Sequence, residues 1–339
     1  MSQLHTGGQT IVFDRAPVIL SHSAIGGRME GEGPLGGAFD YVSRDTRFGQ
    51  KTFEQAETRL QELALDTATG KAGLTYSDID VLFAGDLLNQ CIGSAFASRG
   101  TSIPFLGLYG ACSTMAEALL LAAGAVNAGY ARKAAALTSS HFAAAERQYR
   151  FPLAYGGQRT PTAQRTVTAA GCCIVASTGR GAHLECATVG SVTDYGIRDA
   201  ANMGAAMAPA AYHTLAAHFR DTGRTPADYD LIVTGDLGQL GAALLCELFS
   251  RDDIQLRPRY QDCGVMIFDP TRQDVHAGGS GCGCGASVLC GYLLPQIARG
   301  TLRRLLFCAT GALMSPTSSW QGESIPAICH AISIKAGGA

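Results

Sequence analysis

At 339 residues, with 47% hydrophobic and 16% charged side chains and 42 glycines, the chain suits a large layered core of packed helices and sheets. That balance excludes a coiled coil and a disordered polymer. The formal net charge is −2 and no cluster of Lys or Arg is dense enough to track phosphates, which sets nucleic-acid binding aside.

In chain order, residues 9–21 read as an opening strand, and residues 22–50, with Glu32-Gly-Pro-Leu-Gly-Gly37, as a long ordered loop. Residues 53–72 carry helical apolar spacing through Phe53, Ala56, Leu60, Leu63 and Ala64. Val81–Ala84 is a short buried strand. Gly110-Ala-Cys-Ser-Thr114 then leads into a small apolar helix, and a further strand follows Gly129. Residues 141–170 are polar and loop-rich, a length that usually carries function. Ala170–Ser177 and Leu184–Val189 read as a pair of alternating strands. A second polar loop begins near Asp194, followed by a helix over about 210–219 and a strand at Leu231–Thr234. The glycine-rich run Gly278–Gly285 precedes another apolar helix, and a strand follows Gly300.

This order contains one design twice. Asp78-Ile-Asp-Val-Leu-Phe-Ala-Gly-Asp-Leu87 returns as Asp228-Tyr-Asp-Leu-Ile-Val-Thr-Gly-Asp-Leu237. Each copy is followed by a glycine-containing cysteine loop, an apolar helix and a strand. A duplicated α/β unit is expected, with halves at residues 1–180 and 181–339, and the cleft between them is the first place to look for function.

Met1–Gly8 has neither the basic nor the apolar region of a secretory signal, so most of the twelve cysteines are expected reduced in a cytoplasmic setting. The longest apolar stretch, residues 118–126, is shorter than the roughly 20 residues of a spanning helix. Membrane association would therefore run through partner proteins. Cys282-Gly-Cys284 lacks a second pair at zinc spacing, so no metal site and no cofactor is expected.

Cys112 stands just ahead of Thr114-Met-Ala-Glu117, which has the form of a capping box. A thiol there would feel the positive end of the helix dipole, which lowers its pKa. It is either a nucleophile or the lip of an anion site, with Ser113 beside it, and the Gly281–Gly285 loop of the other half would face it. Asp86 and Asp236 end the two repeated strands, as pocket carboxylates orienting a donor or holding Ca²⁺, or as caps of the following turns. His141, Arg147 and Arg150 are the compact cationic set near the expected mouth, suited to carboxylates; the alternatives are pairing with Glu146 or a dimer partner for the arginines, and a core role for the histidine. The Gly278–Gly285 run fits neither a P-loop nor a dinucleotide fingerprint, but its turn at Ser280 and Cys282 could present N–H groups to an anion.

Two similar halves with a cysteine at the start of a buried helix resemble the thiolase superfamily. The resemblance implies an α/β fold of two βαβαβαββ halves in five α/β/α/β/α layers. In its ketoacyl-synthase-like branch a His ends the strand matching Leu231–Thr234, and an Asn or His stands in the later glycine-rich loop. Here those places hold Asp236 and Cys282, so acyl-transfer machinery is expected to be dismantled.

Ala84–Gln90, Tyr109–Thr114, Thr138–His141, Ala145–Arg150, Tyr155–Gln158, Met203–Ala210 and Ala277–Cys282 resemble, more narrowly, the stage V sporulation protein AD family of spore-forming Firmicutes. That resemblance implies non-catalytic binding of dipicolinic acid, with or without Ca²⁺, by a soluble subunit attached to the spore inner membrane through the other stage V sporulation A proteins. The superfamily adds a homodimer in which first-half sheets meet edge to edge. The expected ligand slot lies between N–H groups at Cys112–Thr114 and at Ser280–Gly283, closed by Arg147 or Arg150. The competing readings are an acyltransferase using Cys112 and a structural scaffold.

Overall fold

A computed structural model describes residues 5–149 and 159–337. Ten strands build the body: β1 (Val18–Gly26), β2 (Val81–Gly85), β3 (Phe105–Gly107), β4 (Lys133–Ser140), β5 (Ala169–Ala176), β6 (Ala182–Thr188), β7 (Leu231–Thr234), β8 (Tyr260–Asp262), β9 (Arg304–Ala312) and β10 (Ala327–Lys335). They pair in the order β3-β2-β4-β5-β1 and, with the same alternation of parallel and antiparallel neighbours, β8-β7-β9-β10-β6. The two sheets touch along a short antiparallel seam, Ala182↔Ile19 and His183↔Val18.

Helix α1 (Phe53–Lys71) covers the outer face of the first sheet, its N-terminus capped by Thr52, whose hydroxyl accepts from the Gln55 N–H at 3.2 Å. Helices α2 (Ile92–Ser98), α3 (Thr114–Asn127) and α4 (Phe142–Tyr149) complete the first half. On the second sheet, α5 (Met203–Thr222) and α6 (Gly238–Arg251) form the outer layer. Between the sheets lie α3 and a second central helix, α7 (Cys282–Val288), which continues through a π-helical turn at Leu289–Leu293 into α8 (Leu294–Ala298). Met115, Leu119, Ala122 and Ala123 of α3 share one cluster with Ala286, Leu289 and Leu293, and with strand residues from both sheets. This is the five-layer thiolase-like fold, with each half running βαβαβαββ and α4 inserted between the last two strands of the first.

The repeated motif does the same local work in each half. Asp78 and Asp228 close capping boxes with Thr75 and Thr225. Asp80 accepts from the N–H groups of Arg132 and Lys133, and Asp230 from those of Arg303 and Arg304, tying the start of each first strand to its parallel neighbour.

Several elements differ from the sequence reading. The opening strand is broken by Asp14–Pro17 into Thr10–Val12, which pairs with β6, and β1. β1 runs on to Gly26, into the segment read as loop, where Tyr41–Val42 also pairs with it. β5 and β6 are not partners, because β1 lies between them, and β5 is buried at every residue: helices cover both of its faces and erase the alternation. The region read as loop-rich after 141 holds α4, whose Ala-Ala-Ala-Glu-Arg-Gln composition favours helix. α5 starts seven residues earlier than read and runs through Pro209.

Leu119 is fully buried between the sheets, whereas Leu106 on β3 is 53% exposed. Leu119→Ala should cost about 2–5 kcal/mol, and Leu106→Ala should stay within about 0.5 kcal/mol, read from urea unfolding midpoints at constant slope. Equal effects would place α3 outside the central layer.

Candidate functional site

The cysteine loops open at the C-terminal ends of the strands, on either side of the junction between halves. Gly110–Ser113 turns sharply: Ala111 sits at φ +49°, a left-handed conformation costing an alanine about 1–2 kcal/mol. The turn is held from the other half. A Cβ on Gly311 of β9 would lie 2.2 Å from the Gly110 carbonyl oxygen and 3.3 Å from the Cys112 nitrogen, so only glycine allows this approach. In the second half Gly281, at φ +100°, precedes Cys282 at the matching helix start.

The capping box read at Thr114–Glu117 does not form. A 3-10 turn at Ala111–Ser113 starts the helix early, so Thr114 lies inside it and its hydroxyl donates to the Ala111 carbonyl at 2.6 Å. The Ser113 hydroxyl donates to the Gly110 carbonyl at 2.7 Å. The Glu117 carboxyl is half-buried with one oxygen lacking a partner among the described residues, and burial raises its pKa.

Cys112 is not an activated thiol. It is 7% exposed, and burial, with the nearby Asp236 and Cys282, pushes its pKa well above the ordinary thiol value despite an opposing N–H from Gly281. Two opposite effects meet here, and desolvation, with the neighbouring carboxyl, outweighs the helix dipole. Asp236 is fully buried and holds three groups: the Gly281 N–H at 2.9 Å, the Thr310 hydroxyl at 2.9 Å and the Cys112 thiol. Burial pushes its carboxyl up to about 7. A thiolate formed here would face that carboxylate, so the proton stays on sulfur at neutral pH.

The opposite lip is equally engaged. The Cys282 thiol donates to the Ser139 carbonyl at 2.9 Å, and the Gly283 N–H donates to the Ser140 hydroxyl at 3.1 Å. The N–H groups of Gly281 and Gly283, expected to face a ligand, are thus spent inside the protein. The Ser280 hydroxyl is buried and has no partner among the described residues.

Above Cys112 the walls are Leu87, Tyr109, Ala111, Tyr149, Met203, Ala312 and Met314, around a cavity of about 10 Å³. That is room for roughly one water. None of these residues is cationic. Arg147 pairs instead with Glu54 and lies over the Phe53 ring, 5.9 Å from its centre, so it does not close the slot. Arg150 falls outside the described residues. His141 is buried away from the slot, with Nε2 donating to the Thr46 carbonyl at 2.7 Å and Nδ1 accepting from Ala144 at 3.3 Å; burial lowers its pKa and keeps it neutral. Asp86 caps its own turn, accepting from Leu88 N–H at 2.9 Å and from the N–H and hydroxyl of Ser94 at 2.7 and 2.6 Å. The last aspartates of the two repeats have therefore diverged: Asp86 serves a turn, Asp236 the junction. Among the described residues no group of three or more His, Cys, Asp or Glu side chains is placed to hold a metal ion.

Thr310, Gly311, Tyr109, Tyr149, Met203 and Met314 belong to this site and were not singled out from the sequence. Only the Thr-Gly pair at the end of an apolar strand gave a local sign of it.

The stage V sporulation protein AD (SpoVAD) family model matches residues 7–335 of the chain. Stage V sporulation protein AD of Bacillus subtilis (strain 168) is 44% identical over 335 residues, 98% of this chain and 99% of the relative. Among solved structures, human mitochondrial 3-ketoacyl-CoA thiolase in complex with CoA superposes with a TM-score of 0.61 at 11% identity, over 96% of this chain and 99% of that one. 3-Oxoacyl-[acyl-carrier-protein] synthase III from Aquifex aeolicus VF5 gives 0.58 at 11% identity, over 94% and 100%. At such identities the two enzymes share the fold alone.

Two outcomes follow from the buried pair. Iodoacetamide at pH 7, followed by peptide mass spectrometry, should label the half-buried Cys246 well before Cys112; fast labelling of Cys112 would contradict the electrostatics. The raised pKa of Asp236 means the folded state holds its proton more tightly than the unfolded chain. Its contribution to stability is complete below about pH 4 and lost as pH rises through about 7. Asp236→Asn should flatten the fall in stability over that window, by a few kcal/mol at most, as measured by urea unfolding at successive pH values.

Proposed function

Since the chain belongs to the stage V sporulation protein AD family and carries a thiolase-like fold, we propose that its part in sporulation is to bind dipicolinic acid without performing acyl transfer. The observation that carries this reading is the Cys112–Asp236 pair: a thiol held protonated beside a buried carboxyl, where acyl transfer needs a thiolate and donors for a developing oxyanion.

The slot at Cys112 is the proposed seat of the ligand, with Ser280 and Cys282 on the far lip. Its walls supply no cation, so a free dianion would be poorly matched there. Dipicolinate chelated to Ca²⁺ through its pyridine nitrogen and two carboxylates is neutral at one-to-one stoichiometry and brings its own charge balance. Calcium is thus cargo with the ligand. Admission requires Tyr149, Met203 and Met314 to rotate aside, and the methionines turn about three flexible bonds.

No helix among the described residues is long and apolar enough to cross a membrane. Attachment to the spore membrane is accordingly assigned to other stage V sporulation A proteins. A second copy of the chain is proposed at the outer edge of β3, which among the described residues pairs only with β2 and is surrounded by exposed Phe96, Leu106 and Tyr109.

Calorimetric titration should give dipicolinate binding at least about tenfold tighter with Ca²⁺ than without, and no turnover of acyl-CoA substrates. No heat in either condition from folded protein, or acyl-CoA turnover that Cys112→Ala abolishes, would overturn the reading. For the assembly, Phe96→Glu combined with Leu106→Glu should convert dimers to monomers in sedimentation velocity; a wild type already monomeric at tens of micromolar would remove that part.

A further inference from the structure

A second cavity lies at the other end of α4 from Tyr149. Met29, Glu30, Phe53, His141, Phe142 and Arg165 are among its walls, and it encloses about 330 Å³. That is within the usual range of small-molecule sites.

Arg165 is the unusual member. Its guanidinium lies 3.9 Å from the centre of the Phe142 ring. No carboxylate oxygen of the described residues comes within ion-pair distance of it, and residues 1–4, 150–158 and 338–339 contain no Asp or Glu. Burial and the nearby Arg159 cation pull its pKa down, while Glu30, Glu146 and Asp274 oppose that without an ion-pair contact. Glu30 is tied to the Thr168 N–H at 2.9 Å, and burial pushes its carboxyl up to about 7, so near neutrality it is only partly charged. The other polar groups are engaged: Arg28 pairs with Glu32 at the rim at 2.8 Å, and both nitrogens of His141 have partners within the protein. One part-buried cation therefore lines the cavity with the Phe142 ring as its neighbour and no carboxylate at ion-pair distance, so an entering anion would meet an unmatched positive charge.

The walls define the shape of that anion. Phe53, Phe142 and His141 bring three rings to its walls, the His141 ring 5.5 Å from Phe53, and Arg165 lies over the Phe142 ring. Aromatic walls with one guanidinium that no carboxylate pairs favour a mostly apolar aromatic monoanion, and a guanidinium matches a carboxylate in bidentate geometry. A dianion would leave one charge unmatched beside Glu30. The geometry points to a second ligand site, separate from the slot at Cys112, that takes a planar aromatic monocarboxylate between Phe53 and Phe142 with its carboxylate on Arg165. This site needs no calcium, because the protein supplies the cation.

The test is calorimetric titration of the full chain with 2-naphthoate in calcium-free buffer. One site is expected, with a Kd of about 1 mM or tighter. Arg165→Gln should weaken it at least tenfold, Arg165→Lys less, and Ala143→Trp should abolish it by filling the cavity; Cys112→Ala should leave it unchanged. Thermal melts show whether each variant is folded, and the Ala143 variant leaves Arg165 in place if the arginine variants are not. Absence of binding to the wild type, or binding that survives both Arg165→Gln and Ala143→Trp, overturns the assignment, as does loss on Cys112→Ala alone. Calcium–dipicolinate titrated into the same variants separates the two sites: its failure to bind anywhere sinks the reading at Cys112 and leaves the Arg165 site standing.

Discussion

Two helices sealed between two sheets have no water to complete their hydrogen bonds or to solvate their charges, and the junction of the halves is arranged around that fact. α3 and α7 are built from small apolar residues because each must meet a strand layer on both sides. Their first turns cannot rely on solvent for the N–H groups that every helix leaves unpaired. In the first half Thr114 Oγ1 accepts from the Gly110 N–H while the Ser113 and Thr114 hydroxyls donate to the Gly110 and Ala111 carbonyls; in the second, Asp236 and Ser140 accept from the Gly281 and Gly283 N–H groups.

The same dryness decides the chemistry of the ionisable groups. A helix start would draw a thiol toward thiolate in a wet cleft. Here desolvation and a carboxyl neighbour reverse the direction, and Cys112 and Asp236 share a site in which the neutral forms are favoured. Cys282 is held the same way, its thiol given to a backbone carbonyl. The fold that places a nucleophile in the thiolases is kept in this chain, while the electrostatics that would make one are not. The junction holds a small cavity with no cation in its walls, whereas the cavity beside Arg165, at the wetter rim, has a charge to offer.

Much of this was legible along the chain. The duplication showed because its aspartates do local work, capping a turn and tying down the next strand, and local work requires the same residue at the same spacing in both copies. The central helices showed through their small apolar composition, and the replacement of the expected imidazole by Asp236 showed once the resemblance supplied the position. Strand partners were not legible between β5 and β6. Both are apolar and adjacent in sequence, and the choice to insert β1 between them is made by pairings between residues about 150 positions apart.

The sequence by itself determined the repeat, the layer class and the identity of the residues at the two helix starts, because these rest on periodicity and on contacts a few residues long. Only the tertiary structure decided what those residues became. Asp86 and Asp236 occupy the same place in the repeat, yet one faces its own turn and the other meets Cys112, Gly281 and Thr310 from three separate segments. Arg147 and Arg165 are the same residue type, but Glu54 pairs with the first and no carboxylate of the described residues with the second. Burial and counter-charge are properties of the surroundings, supplied by segments distant in sequence, so no local pattern carries them.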